Sequence, residues 1–135
     1  MTIVWTPDLS VGIEFIDTQH KELFARISNL VAACQEKRGE EIIIETFKFL
    51  ENYTIEHFGA EESAMQKHSY PQYIFHKSQH EEFIKDIQDL KGGLNKEVDR
   101  LFVADRVSNY LVNWLVLHIR KVDKALGIFL KDTIR

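Results

Sequence analysis

The chain has 135 residues, which argues for one hydrophobic core and against a second catalytic module. Its formal net charge of −4, with the signs interspersed, offers no basic face for a phosphate backbone and argues against nucleic acid as a partner. The single cysteine, Cys34, excludes an internal disulfide and reads as a small apolar helix residue. Hydrophobic residues make up 44% of the chain, enough to fill a bundle interior without staples. The segment from Met1 to Asp8 has no basic stretch leading into an apolar run, and no segment is long and apolar enough to span a bilayer. A cytoplasmic protein without a membrane span is therefore expected.

Residues 1–16 read as an extended arm, with Trp5, Leu9, Val11 and Ile13 laid against the body of the protein. Beyond them, apolar residues recur at three- and four-residue steps, the helical period. A first helix begins after Asp17, a suitable N-cap, carries Leu23, Phe24, Ile27, Leu30 and Val31 on one stripe, and stops at Lys37-Arg38-Gly39. A second runs from about Glu40 to Lys67, with Ile43, Ile44, Phe47, Leu50, Tyr53, Thr54, His57, Phe58 and Glu61 along its inner side. Tyr70-Pro71 breaks the chain, because the residue before proline disfavours helix. A third helix spans about Gln72 to Leu90, with Phe75, His76, His80, Phe83, Ile84 and Ile87 inward, and ends at Gly92-Gly93. The fourth starts between Asn95 and Asp105 and runs to about Leu130 through Val107, Tyr110, Leu111, Trp114, Leu115, His118 and Ile119. Short connections favour antiparallel neighbours, so the expected fold is all-α: one domain over 1–135, with an up-down-up-down four-helix bundle over 17–131.

Histidines and carboxylates recur along these helices at spacings that bring them together. His57 and Glu61, and likewise His76 and His80, lie four apart and present two donors on one helix face. His118 and Asp123 are five apart, about 140° round an ideal helix, so either a wider turn, such as a single π bulge, or the reach of the Asp side chain has to bring them together. Counted from the helix ends, His20, His57, His80 and Asp123 fall near the same end of an antiparallel bundle. Imidazole and carboxylate together suit iron, copper, nickel or zinc, while the lack of thiolates argues against iron–sulfur and blue-copper centres. Seven ligands are too many for one ion. Two ions sharing Glu61 and Asp123 as bridges divide the histidines three and two, leaving a position open on the poorer ion.

Taken together, Asp17-x-x-His20, His57-x-x-x-Glu61-Glu62, Tyr70-Pro71-x-x-x-x-His76-x-x-x-His80 and His118-x-x-x-x-Asp123 resemble the hemerythrins, specifically the bacteriohemerythrins. The resemblance also takes in Trp5-x-x-x-Leu9-x-x-Gly12, Gln19-His20-x-x-Leu23 and Trp114-x-x-x-His118-Ile119, and so covers almost the whole chain. It implies a non-haem centre of two iron ions (Fe2+/Fe3+) with an oxo/hydroxo bridge that takes up dioxygen reversibly as a hydroperoxide, for storage, transport or delivery. Position by position, it implies His76, His80 and His118 on one iron and His20 and His57 on the other, where oxygen binds, with Glu61 and Asp123 bridging. The site then keeps its net charge on oxygen uptake, which suits a low-dielectric interior. Leu23, Phe24, Trp114 and Ile119 are the expected lining of a dry oxygen pocket. The chain is expected to be a monomer and not an enzyme, supplying dioxygen to an oxygen-consuming partner. Sensing through a separate protein, and oxidase or peroxidase chemistry, are the alternatives.

Simpler roles suffice for other residues. His68 is expected to be an exposed or hydrogen-bonded histidine, Tyr53 and Met65 to fill core volume, and Glu62, about 100° from Glu61, to face solvent or a neighbour of the site. Gly59 is a weak helix residue that could loosen its turn. For the seven site residues no such reading works, since burying so many unpaired polar groups at one level is costly without a metal.

Overall fold

The computed structural model describes residues 4–36, 40–94 and 100–134, and in it the helical spacing becomes four rods. α1 spans Glu14–Gln35, α2 Glu40–Lys67 and α3 Tyr73–Leu94. The fourth rod consists of α4 (Arg100–Arg106), α5 (Val112–His118) and α6 (Lys124–Ile134), joined by π turns at Val107–Leu111 and Ile119–Asp123. Arg106, Val112, His118 and Lys124 at the joints all keep right-handed helical dihedrals, so the rod is continuous. α1 packs on α2 and α2 on α3, while α1 and α3 both meet the fourth rod. The result is an antiparallel up-down-up-down four-helix bundle. No strand occurs among the described residues, and none of their helices is long and apolar enough to cross a membrane.

The apolar stripes meet as expected. Phe47, Leu50, Phe58, Met65, Phe83 and Ile87 are fully buried, as are Ile27, Leu30, Cys34 and Leu115. Truncating any one of the three phenylalanines to alanine would cost about 3–5 kcal/mol.

Two local devices set the level at which the rods meet. Where α2 ends, Tyr70 N–H donates to Met65 O at 2.8 Å and Ser69 N–H to Gln66 O at 3.3 Å, with Ser69 at φ 54°. This is the paired-bond helix stop that usually takes glycine at its left-handed position. Buried Tyr70 and Met65 close it, and Pro71 starts the chain back toward α3. The second device is the arm. Its Pro7–Leu9 stretch is a 3-10 turn, Leu9 and Val11 are buried, and Val11 O lies so close to Gly127 that a side-chain carbon there would sit 2.2 Å away. Arg120 Nη2 donates to Asp8 Oδ2 at 3.0 Å and Lys124 Nζ to Asp8 O at 2.9 Å, pinning the arm across the second π turn.

Several expectations are corrected. α1 begins at Glu14, not after Asp17, and its N-cap is Ile13, which makes no side-chain cap bond. Asp17 lies inside the first turn and accepts from Val11 N–H at 2.9 Å and Ser10 Oγ at 2.5 Å, tying down the arm instead of capping the helix. α3 continues past Gly92 to Leu94. Phe75 is 53% exposed, because it sits one residue, about 100°, from inward His76. Tyr110 is 41% exposed: it falls within the first π turn, and its hydroxyl donates to Asp86 at 3.0 Å. The expected first stop at 37–39 lies outside the described residues.

Candidate metal centre

Every rod contributes to one buried polar cluster. His20 comes from α1, His57 and Glu61 from α2, His76 and His80 from α3, and His118 and Asp123 from the fourth rod; all are at most 3% exposed. The π turn accounts for the awkward pair. Lys124 N–H bonds to Ile119 O, five residues back, so residues five apart come round to one face. His118 Nε2 consequently lies 3.1 Å from Asp123 Oδ1. At Gly59 α2 runs on unbroken, so His57 and Glu61 keep ordinary helical spacing.

The two carboxylates divide their oxygens. Glu61 Oε2 is 3.1 Å from His57 Nε2 and 3.4 Å from His20 Nε2, whereas Oε1 is 3.1 Å from His80 Nε2 and 3.5 Å from His76 Nε2. Asp123 Oδ2 is 3.1 Å from His20 Nε2, while Oδ1 is 2.9 Å from His76 Nε2. Two ligand sets result, Glu61, His76, His80, His118 and Asp123 in one and His20, His57, Glu61 and Asp123 in the other, each with its donor atoms within 4.8 Å of one another. Donors about 2.1 Å from a common cation and at right angles stand about 3 Å apart, the spacing seen here.

Whether these residues fit a metal is decided by their unmet valences. The Nε2 atoms of all five histidines and all four oxygens of Glu61 and Asp123 are buried and make no hydrogen bond. Buried polar atoms almost always have partners, so nine converging orphans mark a place for cations. Electrostatics agree. Burial opposes charge on His20 and His76, but the carboxylates of Asp123 and Glu61 outweigh it and raise both to about 9. Burial likewise opposes charge on Glu61, yet His57 and its neighbours hold its carboxyl well below the usual range. Asp123 is also held low, against burial and repulsion from Glu61, by His118 and His20. The cavity thus attracts positive charge even before a metal enters.

Rings stack round the cluster. Phe58 lies parallel on His80 with centroids 3.7 Å apart, and Trp114 lies on His118 at 4.7 Å and on Phe83 at 4.5 Å. Leu23, Phe24 and Ile119 are buried and Trp114 is half-buried. Three imidazoles are hydrogen-bonded from behind, and the two bonds made by Gln19 and Gln79 were not foreseen from spacing. His57 Nδ1 meets Gln19 Oε1, His80 Nδ1 meets Glu62 Oε2 and His118 Nδ1 meets Gln79 Oε1, each at 2.8 Å. Of the two openings foreseen for Glu62, the neighbour of the site is the one realised. His68 belongs to neither ligand set. Tyr53 packs half-buried against the core, with the Arg26 guanidinium 5.0 Å from its ring.

Residues 11–127 match the family model described as the hemerythrin HHE cation binding domain. The chain belongs to the hemerythrin family. It is 35% identical over 121 residues to a bacteriohemerythrin of Pseudomonas paraeruginosa, covering 90% of this chain and 76% of that one. With a bacteriohemerythrin of Methylococcus capsulatus it shares 31% identity, over 93% of this chain and 94% of the other. A solved hemerythrin structure superimposes with a TM-score of 0.79 at 30% identity, over 95% of both chains. This hemerythrin is thus of the bacteriohemerythrin type, with a buried His/Glu/Asp cluster suited to iron.

Proposed function

We propose that this hemerythrin binds dioxygen reversibly at two iron ions held between its four rods, as a carrier or store and not as a catalyst. The observation that carries the reading is the division of each carboxylate, one oxygen toward each ligand set. In this reading His76, His80 and His118 hold one ion with Glu61 Oε1 and Asp123 Oδ1. His20 and His57 hold the other with Oε2 and Oδ2, and this set, one histidine poorer, leaves room for a small ligand.

The iron pair, when bound, supplies the electrons and the coordination position for dioxygen. The residues supply the rest. Five neutral imidazoles and only two carboxylates make a donor set poorer in anions than the carboxylate-rich di-iron enzymes, which favours holding oxygen over splitting it. In this reading Leu23, Phe24 and Ile119, buried within a helical turn of His20 and His118, and Trp114, stacked on His118, serve to keep water and protons from the site. Gln19, Glu62 and Gln79 fix three imidazoles with Nε2 turned inward. The test is to load the protein with ferrous iron without air, count iron, and follow the visible spectrum through cycles of air and inert gas. Two irons per chain and a band that comes and goes support the reading. A band that forms once and resists purging overturns it in favour of irreversible oxidation.

A further inference from the structure

Three of the five cluster histidines are backed at Nδ1, and the backing is unequal. Gln19 behind His57 and Gln79 behind His118 present neutral amide oxygens, whereas Glu62 behind His80 presents a carboxylate. Nδ1 of His20 and of His76 has no hydrogen-bond partner. All three partners do the same geometric work, holding the ring so that its Nε2 lone pair faces the cavity. Only one adds charge. A carboxylate behind a ligating imidazole makes it a stronger donor than an amide can, and such outer partners typically matter about 10- to 100-fold in metal affinity. Both histidine pairs that Glu61 spans are thereby distinguished: the three-histidine set has two backed rings, one of them against an anion, and the two-histidine set has one, against a neutral group.

We propose that Glu62 is the positioning residue that makes the two ion positions unequal, strengthening the three-histidine position through His80 so that it fills first. This rests on the reading of the cluster as a two-ion centre. Glu62 is 21% exposed, so solvent screens part of its charge and the effect belongs at the lower end, about tenfold. The unequal filling has a use in the proposed function. It secures the ion with the complete ligand set while leaving the two-histidine position, where a small ligand has room, the more weakly donated of the two.

Cobalt(II) is a suitable probe, since it takes nitrogen and oxygen ligands and can be titrated without oxygen chemistry. The full-length metal-free protein is titrated in competition with a chromophoric chelator to give the first and second binding constants. In Glu62→Gln the first constant falls about tenfold and the ratio of the two narrows. Adding Gln79→Glu, which places an anion behind His118 of the same set, restores the ratio; adding Gln19→Glu, which places it behind His57 of the other set, does not. Gln19→Glu alone, with Glu62 in place, narrows the ratio by raising the second constant, which keeps the test open even if Glu62→Gln folds poorly. The inference is overturned if Glu62→Gln leaves the ratio unchanged, if both constants fall together, or if Gln19→Glu restores the ratio as well as Gln79→Glu. A native chain that binds fewer than two cobalt ions contradicts the two-ion reading itself and removes the inference with it.

Discussion

Glu51 and Glu61 lie on the same helix, ten residues apart by number, and both are buried. Glu51 is fully served by α3. Lys91 Nζ donates to one oxygen and Gln88 Nε2 to the other at 3.0 Å, and together they hold its carboxyl below the usual range despite burial. Glu61 has no such service: it and Asp123 face imidazole nitrogens that are themselves without hydrogen bonds. A buried charge costs several kcal/mol unless paired, so a structural carboxylate comes with its cation in the sequence. A carboxylate left open in an otherwise well-packed bundle has a cation that comes from outside.

The largest effect should come from breaking the open end. Glu61→Ala or Asp123→Ala removes an oxygen from both candidate ligand sets at once, and metal analysis should show fewer than one ion per chain against the two expected of the native protein. Glu51→Gln, by contrast, should leave the count at two. Next comes stability. Free metal at about a thousand times its dissociation constant should add about 4 kcal/mol to unfolding, seen as a higher melting temperature that chelation reverses.

The pH profiles of the two forms should differ above about pH 6.5. In the metal-free protein, His20 and His76 at about 9 lie above their ordinary 6.5, so their contribution is complete below pH 6.5 and is lost as pH rises through about 9. Glu61 and Asp123 lie below their ordinary 4.5 and 3.8, so theirs is present above those values and lost as pH falls. Melting of the metal-free protein should therefore peak between about pH 4.5 and 6.5 and decline toward pH 9. With metal bound, protons no longer compete at high pH and the decline should vanish. The smallest effect belongs to the closed end. Lys91→Met, which leaves Glu51 with Gln88 alone, should lower stability by about 1–3 kcal/mol in denaturant titrations while leaving the metal count unchanged.

Much of this molecule is legible in the sequence, for physical reasons. Apolar residues at three- and four-residue steps give the rods, and α2 starts and ends where Glu40 and Lys67 were expected to bound it. Histidines and carboxylates four apart share a helix face by geometry alone. The five-residue step from His118 to Asp123 is itself informative, because it calls for a wider turn or a long side-chain reach to bring both into one site, and the π turn at Ile119–Asp123 is the one realised. Contacts between helices are less legible. Gln19 precedes His20 yet serves His57, and Gln79 precedes His80 yet serves His118, because a residue about 100° from an inward ligand faces the next helix. Asp17 looked like a helix cap because capping is a local pattern, while its actual partners lie back along the arm. The π turn at Val107–Leu111 carries no proline or glycine to announce it, and so Tyr110 was expected inward.

The most direct test of the shared centre is anomalous diffraction at the iron edge from crystals of the loaded protein. The account predicts two peaks less than about 4 Å apart between the carboxylates of Glu61 and Asp123, one beside His76, His80 and His118 and the other beside His20 and His57. A single peak, or iron away from these two carboxylates, would contradict it.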